Sequence, residues 1–232
     1  MSNEVFFVTL HQSCKLMQEI KHISNYRESL KDRIVDVAMD LFCKYGVKAV
    51  KMDDIASELA ISKRTLYEIY DNKETVLYEG LRRYHETARQ QMEAYAQQAE
   101  SIMDILLFFY RRRNREYQTT SPLFYEDIQK YPRVTELLAD QRQLTYGQLQ
   151  VFLERGVAEG YFRPEVNYRL VNHLFGAMGG YVRDHHLKRQ YSSEELFDNV
   201  VIVILRGVST QKGIDALERF FEVKMQEKAA FL

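Results

Sequence analysis

Two cysteines, three prolines and ten glycines are all that this 232-residue chain holds of the residues that staple or punctuate a fold. With so few turn formers and 28% charged residues, the composition favours an all-α protein over a sheet protein. Cys14 and Cys43 form no disulfide framework and have no metal-ligand spacing, which fits a reducing, cytoplasmic location. No apolar run approaches the length of a membrane span. An excess of positive charge is missing too: the formal net charge is −1, so the global footprint of a nucleic-acid binder is absent. There is no glycine-rich phosphate loop, nucleophile elbow, zinc signature or convergent carboxylate pair, so no catalytic residue, cofactor or metal is expected.

What is present is a hydrophobic content of 46%, enough for a sizeable core, and one stretch that organises the chain, MDDIASELAISKRTLYEIYDNK from Met52 to Lys73. Ile55, Ala56 and Leu59 give a first short helix an apolar side, and Leu66, Ile69 and Tyr70 do the same for a second. Between them Ser62 is placed to cap the second helix. Lys63, Arg64, Thr65 and Tyr67 then lie on its first turn and a half, away from the buried side. Two cations, a hydroxyl and a phenol at an exposed helix N-terminus suit DNA, because phosphates take charge-assisted hydrogen bonds and base edges take bidentate donors such as Arg. Two short helices with the second presenting its N-terminal end form a helix-turn-helix. Lys48, Lys51, Lys63, Arg64 and Lys73 concentrate positive charge there.

From about Arg33 to Leu77 the ordered set Gly46, Ile55-Ala56, Ile61-Ser62-Lys63, Thr65-Leu66-Tyr67, Tyr70 and Lys73-Glu74 resembles the TetR/AcrR family of bacterial transcriptional regulators. The resemblance implies an N-terminal three-helix helix-turn-helix DNA-binding domain, then a larger helical domain that dimerises and binds a small effector. It implies DNA contacts from Lys51, Ser62, Lys63, Arg64, Thr65, Tyr67, Tyr70 and Lys73, with Arg64 and Lys63 at base edges. Four positions depart from the family pattern, among them Arg64, which replaces what is often a small residue and is expected to enlarge the base-reading surface. Ala60 stands where the turn usually has Gly, at a cost of roughly 1 kcal/mol if the backbone there is left-handed. Lys51 replaces a Thr or Ser cap, and Ile69 replaces a His or Tyr that often contacts phosphate.

The expected organisation is a loosely ordered extension over 1–27, a DNA-binding domain over 28–75 and an effector-binding and dimerisation domain over 76–232. In the extension His11, Cys14 and His22 match no standard metal spacing, and Met17 stays open as the true start. A first helix from a Ser29–Asp32 capping pair to Gly46 is expected, and a long one opened by Asp71 and Glu74. Further caps stand at Ser101, Ser121-Pro122, Pro164 or Asn167, and Ser192, with a last helix from near Ile214. Phe108, Phe109, Phe124, Tyr125, Phe152 and Phe175 offer aromatic lining for a small apolar effector, although aromatic residues at helical spacing are more often core. Arg111-Arg112-Arg113 is either a solvated helix end or the source of one inward arginine for an anionic effector. VVIVIL from Val200 to Leu205 is apolar on every side, and Gly176 and Gly180 permit close helix crossing. With Val201 and Leu205 these glycines match the family's usual four-helix homodimer interface, and a two-fold dimer is what a pseudo-palindromic double-stranded operator requires.

The reading is thus a cytoplasmic DNA-binding regulator, a repressor released by an unidentified small-molecule effector. Its alternative is a helical ligand-binding or adaptor protein with weak or lost DNA binding, towards which the neutral net charge, Ala60, Lys51 and Ile69 lean.

Overall fold

The structure is a computed structural model and describes residues 27–185 and 187–229; residues 1–26 of the expected extension, including His11, Cys14, Met17 and His22, fall outside the described residues. Helices follow one another as α1 (27–45), α2 (Met52–Glu58), α3 (Lys63–Ile69), α4 (Lys73–Gln98), α5 (Ile102–Thr119) and α6 (Pro122–Asp127). They continue as α7 (Pro132–Ala158), α8 (Tyr168–Asp184), α9 (Ser193–Leu196), α10 (Val203–Val208) and α11 (Gln211–Ala229). Among the described residues the sole β-type pairing is an isolated bridge between Phe162 and Ser209.

Side-chain caps fix most of the helix starts. Ser101 Oγ accepts the Asp104 N–H while Asp104 accepts the Ser101 N–H, a reciprocal box that opens α5. Ser192 and Glu195 make the same box at α9. Ser121 with Pro122 at the first helical position opens α6, and Asn167 opens α8. Three starts differ from the sequence expectation. Helix α1 is already formed at residue 27, so Ser29 and Asp32 lie inside it. At α4 the cap is Asn72, whose Oδ1 accepts the Thr75 N–H at 2.9 Å, and Asp71 precedes it. Thr210 Oγ1 accepts the Gly213 N–H, which brings the start of α11 forward to Gln211. The VVIVIL stretch is also not one regular helix: Phe197–Ile202 is wound as a π-helix before α10 begins.

The chain divides into two compact units. The first runs to Arg83 and takes in a second stretch, Ser121–Thr135. Its core is built from the apolar stripe of α1 (Ile34, Ala38, Phe42), the helix-turn-helix residues Ile55, Ala56 and Leu66, Val76 and Leu77 of α4, and Phe124 and Ile128 from the second stretch. The second unit comprises Tyr84–Thr120 and Glu136–Leu232. Its core joins Ile102, Leu106 and Tyr110 of α5, Leu153 of α7, Phe162, Ile202, Leu205, Val208, Leu217 and Phe220. There Arg155 donates to the carbonyls of Ala96 and Ala99 at the end of α4, and its ion-pair partner Glu159 accepts the Ile102 N–H at the start of α5. One salt-bridged pair therefore serves a helix C-terminus and the next N-terminus, each with the charge that its dipole favours.

Candidate nucleic-acid interface

The two short helices are set by their ends. Lys51 is the extended residue before α2, and its ammonium has no acceptor with which to cap an N–H. Asp54 supplies the other half of the arrangement: its carboxylate accepts the Lys51 N–H at 2.7 Å. At the far end of α2 the Ala60 N–H returns to Ser57 O at 3.1 Å and the Ile61 N–H to Ala56 O at 3.0 Å. That pair of bonds is the Schellman motif, and Ala60 occupies its left-handed position with φ of 53°. The chain thus makes with Ala a turn for which Gly is the unstrained choice.

Ser62 then opens α3. Its Oγ accepts the Thr65 N–H at 3.0 Å and lies 2.8 Å from Thr65 Oγ1, so the two hydroxyls are engaged with each other. Leu66 is fully buried and anchors the helix. The opposite face is open: the Lys63 and Arg64 side chains are 60% and 89% exposed, and Tyr67 is 42% exposed. Lys63 pairs with Asp53 of α2 at 2.8 Å, a contact that raises its pKa, and its ammonium lies 6.0 Å from the Tyr67 ring. Arg64 pairs with Glu68 one turn on, at 2.9 Å. Exposed pairs of this kind contribute little, so phosphates or base edges can replace the carboxylates at little cost.

Tyr70 and Lys73 are placed differently from the DNA contacts that the resemblance implies, although Tyr70 falls on the buried side that its spacing predicts. Tyr70 is only 7% exposed, and burial pushes its phenol up; it closes α3 as a core residue and not as part of the open face. An aromatic residue at that spacing reads equally well as core or contact from sequence. The Lys73 ammonium donates to Val47 O at 2.6 Å and Val50 O at 2.7 Å, and desolvation lowers its pKa. Lys73 is therefore a strut that holds the loop between α1 and α2. Lys48 and Lys51, on that loop, are exposed.

Sequence reasoning missed a third hold on the loop. Asp127, from α6, is 7% exposed and accepts the Lys48 backbone N–H at 2.7 Å through Oδ2, while Oδ1 accepts from the Lys130 ammonium at 2.7 Å. Burial works against its charge, but Lys130 and the Lys48 N–H keep its pKa below the ordinary carboxylate value. No local signal in the sequence marks a residue 79 positions away from its partner.

The aromatic residues grouped from sequence are distributed over both units. Phe124 and Tyr125 belong to the first unit, edge to face with each other. Phe108, Phe109, Phe152 and Phe175 belong to the second. Phe108 stacks on Tyr95 at 4.2 Å, Phe152 packs on the core beside Phe162, Phe109 is exposed and Phe175 is half-buried. Of the arginine run, Arg112 does turn inward, but it is already bonded to Glu116 and to the Ala88 carbonyl. Leu205 lies within its own subunit's core, 2% exposed, and Val201 packs against that core. Gly176 faces the Tyr146 phenol, where an added Cβ would come within 2.4 Å, so its small size serves the crossing of α7 and α8. Gly180 meets only Arg183 of its own helix. Among the described residues there is no group of three or more His, Cys, Asp or Glu arranged to hold a metal, and no helix long and apolar enough to cross a membrane.

Comparison with known proteins bears on the same segment and on the whole chain. Residues 34–79 match the family described as bacterial regulatory proteins, tetR family. The HTH-type transcriptional repressor KstR2 of Mycolicibacterium smegmatis is 25% identical over 193 residues, 80% of this chain and 93% of that protein. The biofilm-operon negative transcriptional regulator IcaR of Staphylococcus epidermidis is 43% identical over 47 residues, 20% of this chain and 25% of its own length. Among solved structures, a transcriptional regulator from Saccharomonospora viridis in complex with choline superposes with a TM-score of 0.61 at 21% identity, over 79% of this chain and 100% of that one.

Proposed function

We propose that the chain, a DNA-binding transcriptional regulator of the TetR/AcrR type, is a cytoplasmic homodimeric repressor that a small molecule releases from a pseudo-palindromic operator. The observation that carries the DNA contact is the open face of α3, where two cations are exposed and each is held by one exchangeable carboxylate. Arg64 and Lys63 reach base edges in this reading. Tyr67 and the loop lysines Lys48 and Lys51 hold phosphates, and Ser62 keeps the helix start in shape. Placement matters here more than net charge, because residues 44–75 carry six cations and six carboxylates. The salt slope of binding then reports the few lysines that reach phosphate.

A two-fold assembly is supported by α8. Leu170, Leu174, Ala177 and Tyr181 recur at helical spacing on one face, and all four are exposed in the single chain. Val203 of α10 is another large exposed apolar residue in the same unit. An apolar stripe of that length is what one subunit offers another. The effector is assigned to the second unit, whose aromatic residues favour an apolar or partly apolar ligand. One regulator of similar fold was solved with choline bound.

Selection of bound duplexes from a random pool, followed by anisotropy at two salt concentrations, tests the reading. An inverted repeat bound by a dimer, with affinity falling steeply as salt rises, is the expected outcome. Arg64→Ala is expected to cost about 1–3 kcal/mol on the selected operator and to relax sequence preference, whereas Lys51→Ala weakens all DNA alike and reduces the salt slope by about 1. Equal losses for Arg64→Ala on operator and random DNA would remove Arg64 from base reading. A folded dimer that enriches no sequence would instead support a ligand-binding or adaptor protein.

A further inference from the structure

The loop between α1 and α2 is held almost entirely from outside itself. Its carbonyls at Val47 and Val50 accept from Lys73, and its N–H at Lys48 donates to Asp127. At its start, Gly46 has φ of 85°, and an added Cβ would lie 3.0 Å from Leu123 Cβ and 3.1 Å from Asp127 Oδ2. The Ser121 N–H adds a further tie, to Cys43 O at 2.7 Å. The segment Ser121–Lys130 thus closes one wall of the unit that carries α3, although it stands outside the matched residues 34–79.

We propose that Asp127 is a positioning residue for DNA recognition, acting through the Lys48 backbone to set the loop that presents Lys48 and Lys51 and leads into α2. The proposal rests on the reading of this unit as the DNA-binding surface. The route from Asp127 to that surface is short. Asp127 fixes the Lys48 N–H, Lys51 immediately precedes α2, and Asp53 in the first turn of α2 holds Lys63 of α3. Asp127 itself is buried, and both its oxygens are engaged, so it has no part in touching phosphate. Losing it leaves a loop N–H without its acceptor and frees the loop to sample other positions.

The test uses the full-length protein, with amide exchange at Lys48 and anisotropy on the selected operator and on random duplex. Asp127→Asn keeps an oxygen acceptor at the same place and removes the charge; it is expected to stay within about three-fold of the parent on operator. Asp127→Glu keeps the charge but moves the acceptor out by one methylene; it is expected to lose about ten-fold or more, as is Asp127→Ala. The salt slope should fall for Glu and Ala, whose loops no longer hold Lys48 and Lys51 at phosphate, and stay at the parent value for Asn. Lys48 amide exchange should accelerate for Glu and Ala and not for Asn.

Asn falling as far as Ala, with Glu preserved, would overturn the proposal, because charge rather than placement would then be at work. Parent affinity for a folded Asp127→Ala would overturn it as well. Should Asp127→Ala fail to fold, the contrast between Asn and Glu decides. Should the parent protein select no operator, the DNA reading has failed, and the exchange at Lys48 still reports whether Asp127 holds the loop.

Discussion

Replacing Ala60 with Gly should stabilise the helix-turn-helix. Ala60 sits at φ of 53°, with its N–H and that of Ile61 turned back onto Ser57 O and Ala56 O. An L-residue with a Cβ in that region is strained by roughly 1–2 kcal/mol. Glycine removes the strain but enlarges the conformational freedom of the unfolded chain, which takes back about 0.4–1 kcal/mol. Ala60 is exposed, so no packing is lost. The balance is a gain of about 0.5–1 kcal/mol, or about two- to five-fold in a local equilibrium constant. Global unfolding of a two-unit protein blurs so small a change, and amide exchange in α2 and α3 isolates it. The Leu59 and Ile61 N–H groups, bonded to Ile55 O and Ala56 O, should exchange about two- to five-fold more slowly in Ala60→Gly. Ser57→Gly is the opposing control, because Ser57 lies in the body of α2 and glycine there weakens the helix by a few tenths of a kcal/mol, roughly the propensity gap. Faster or unchanged exchange in Ala60→Gly would refute the reasoning, since the turn would then not hold a left-handed residue at that position.

Two further substitutions probe the same unit. Glu79 accepts from Arg82 and Arg83, and Arg83 also pairs with Asp32 of α1; hydrogen bonds from Arg82 lead the effects that hold the Glu79 pKa at about 2, against a reference of 4.5. A depressed pKa stabilises the fold above the unfolded value and is lost as pH falls from about 4.5 towards 2. Allowing for solvent screening at the half-exposed Arg82, Glu79→Gln should cost about 1–2 kcal/mol at pH 7. That deficit should shrink in urea titrations run at successively lower pH below 4.5, and a deficit independent of pH would remove the ionic explanation. Gly46→Ala adds backbone strain at φ of 85° to a crowded Cβ, and should lower stability by about 2–3 kcal/mol in denaturant unfolding.

Much of the fold was legible because its determinants are local. Ser62, Ser101, Ser192 and Asn167 announce helix starts through hydrogen bonds that span three residues. Lys63, Arg64 and Tyr67 could be placed on an open face because Leu66 fixes the buried one by periodicity alone. The misreadings arose where a residue has two chemically reasonable environments. Tyr70 could bury its ring or present its phenol, and Lys73 could meet phosphate or the carbonyls at Val47 and Val50. The aromatic set was not legible as a group for another reason: Phe124 and Phe152 look alike in sequence, yet the fold sends them to different units. Asp127 left no trace at all, because its partner is a backbone N–H, which every residue other than proline possesses.

The reading head of this regulator is encoded in two separate stretches of chain, residues up to Arg83 and Ser121–Thr135. Heads and bodies are therefore not exchangeable at a single junction. A chimera that joins residues 27–83 to another regulator's body would strand the Lys48 N–H and uncover Gly46, unless it also carried the Ser121–Lys130 wall. A recombination breakpoint anywhere between positions 84 and 120 separates the two halves of one folding unit. The intervening residues, 84–120, are free of that constraint, while the two flanking stretches must keep pace with each other.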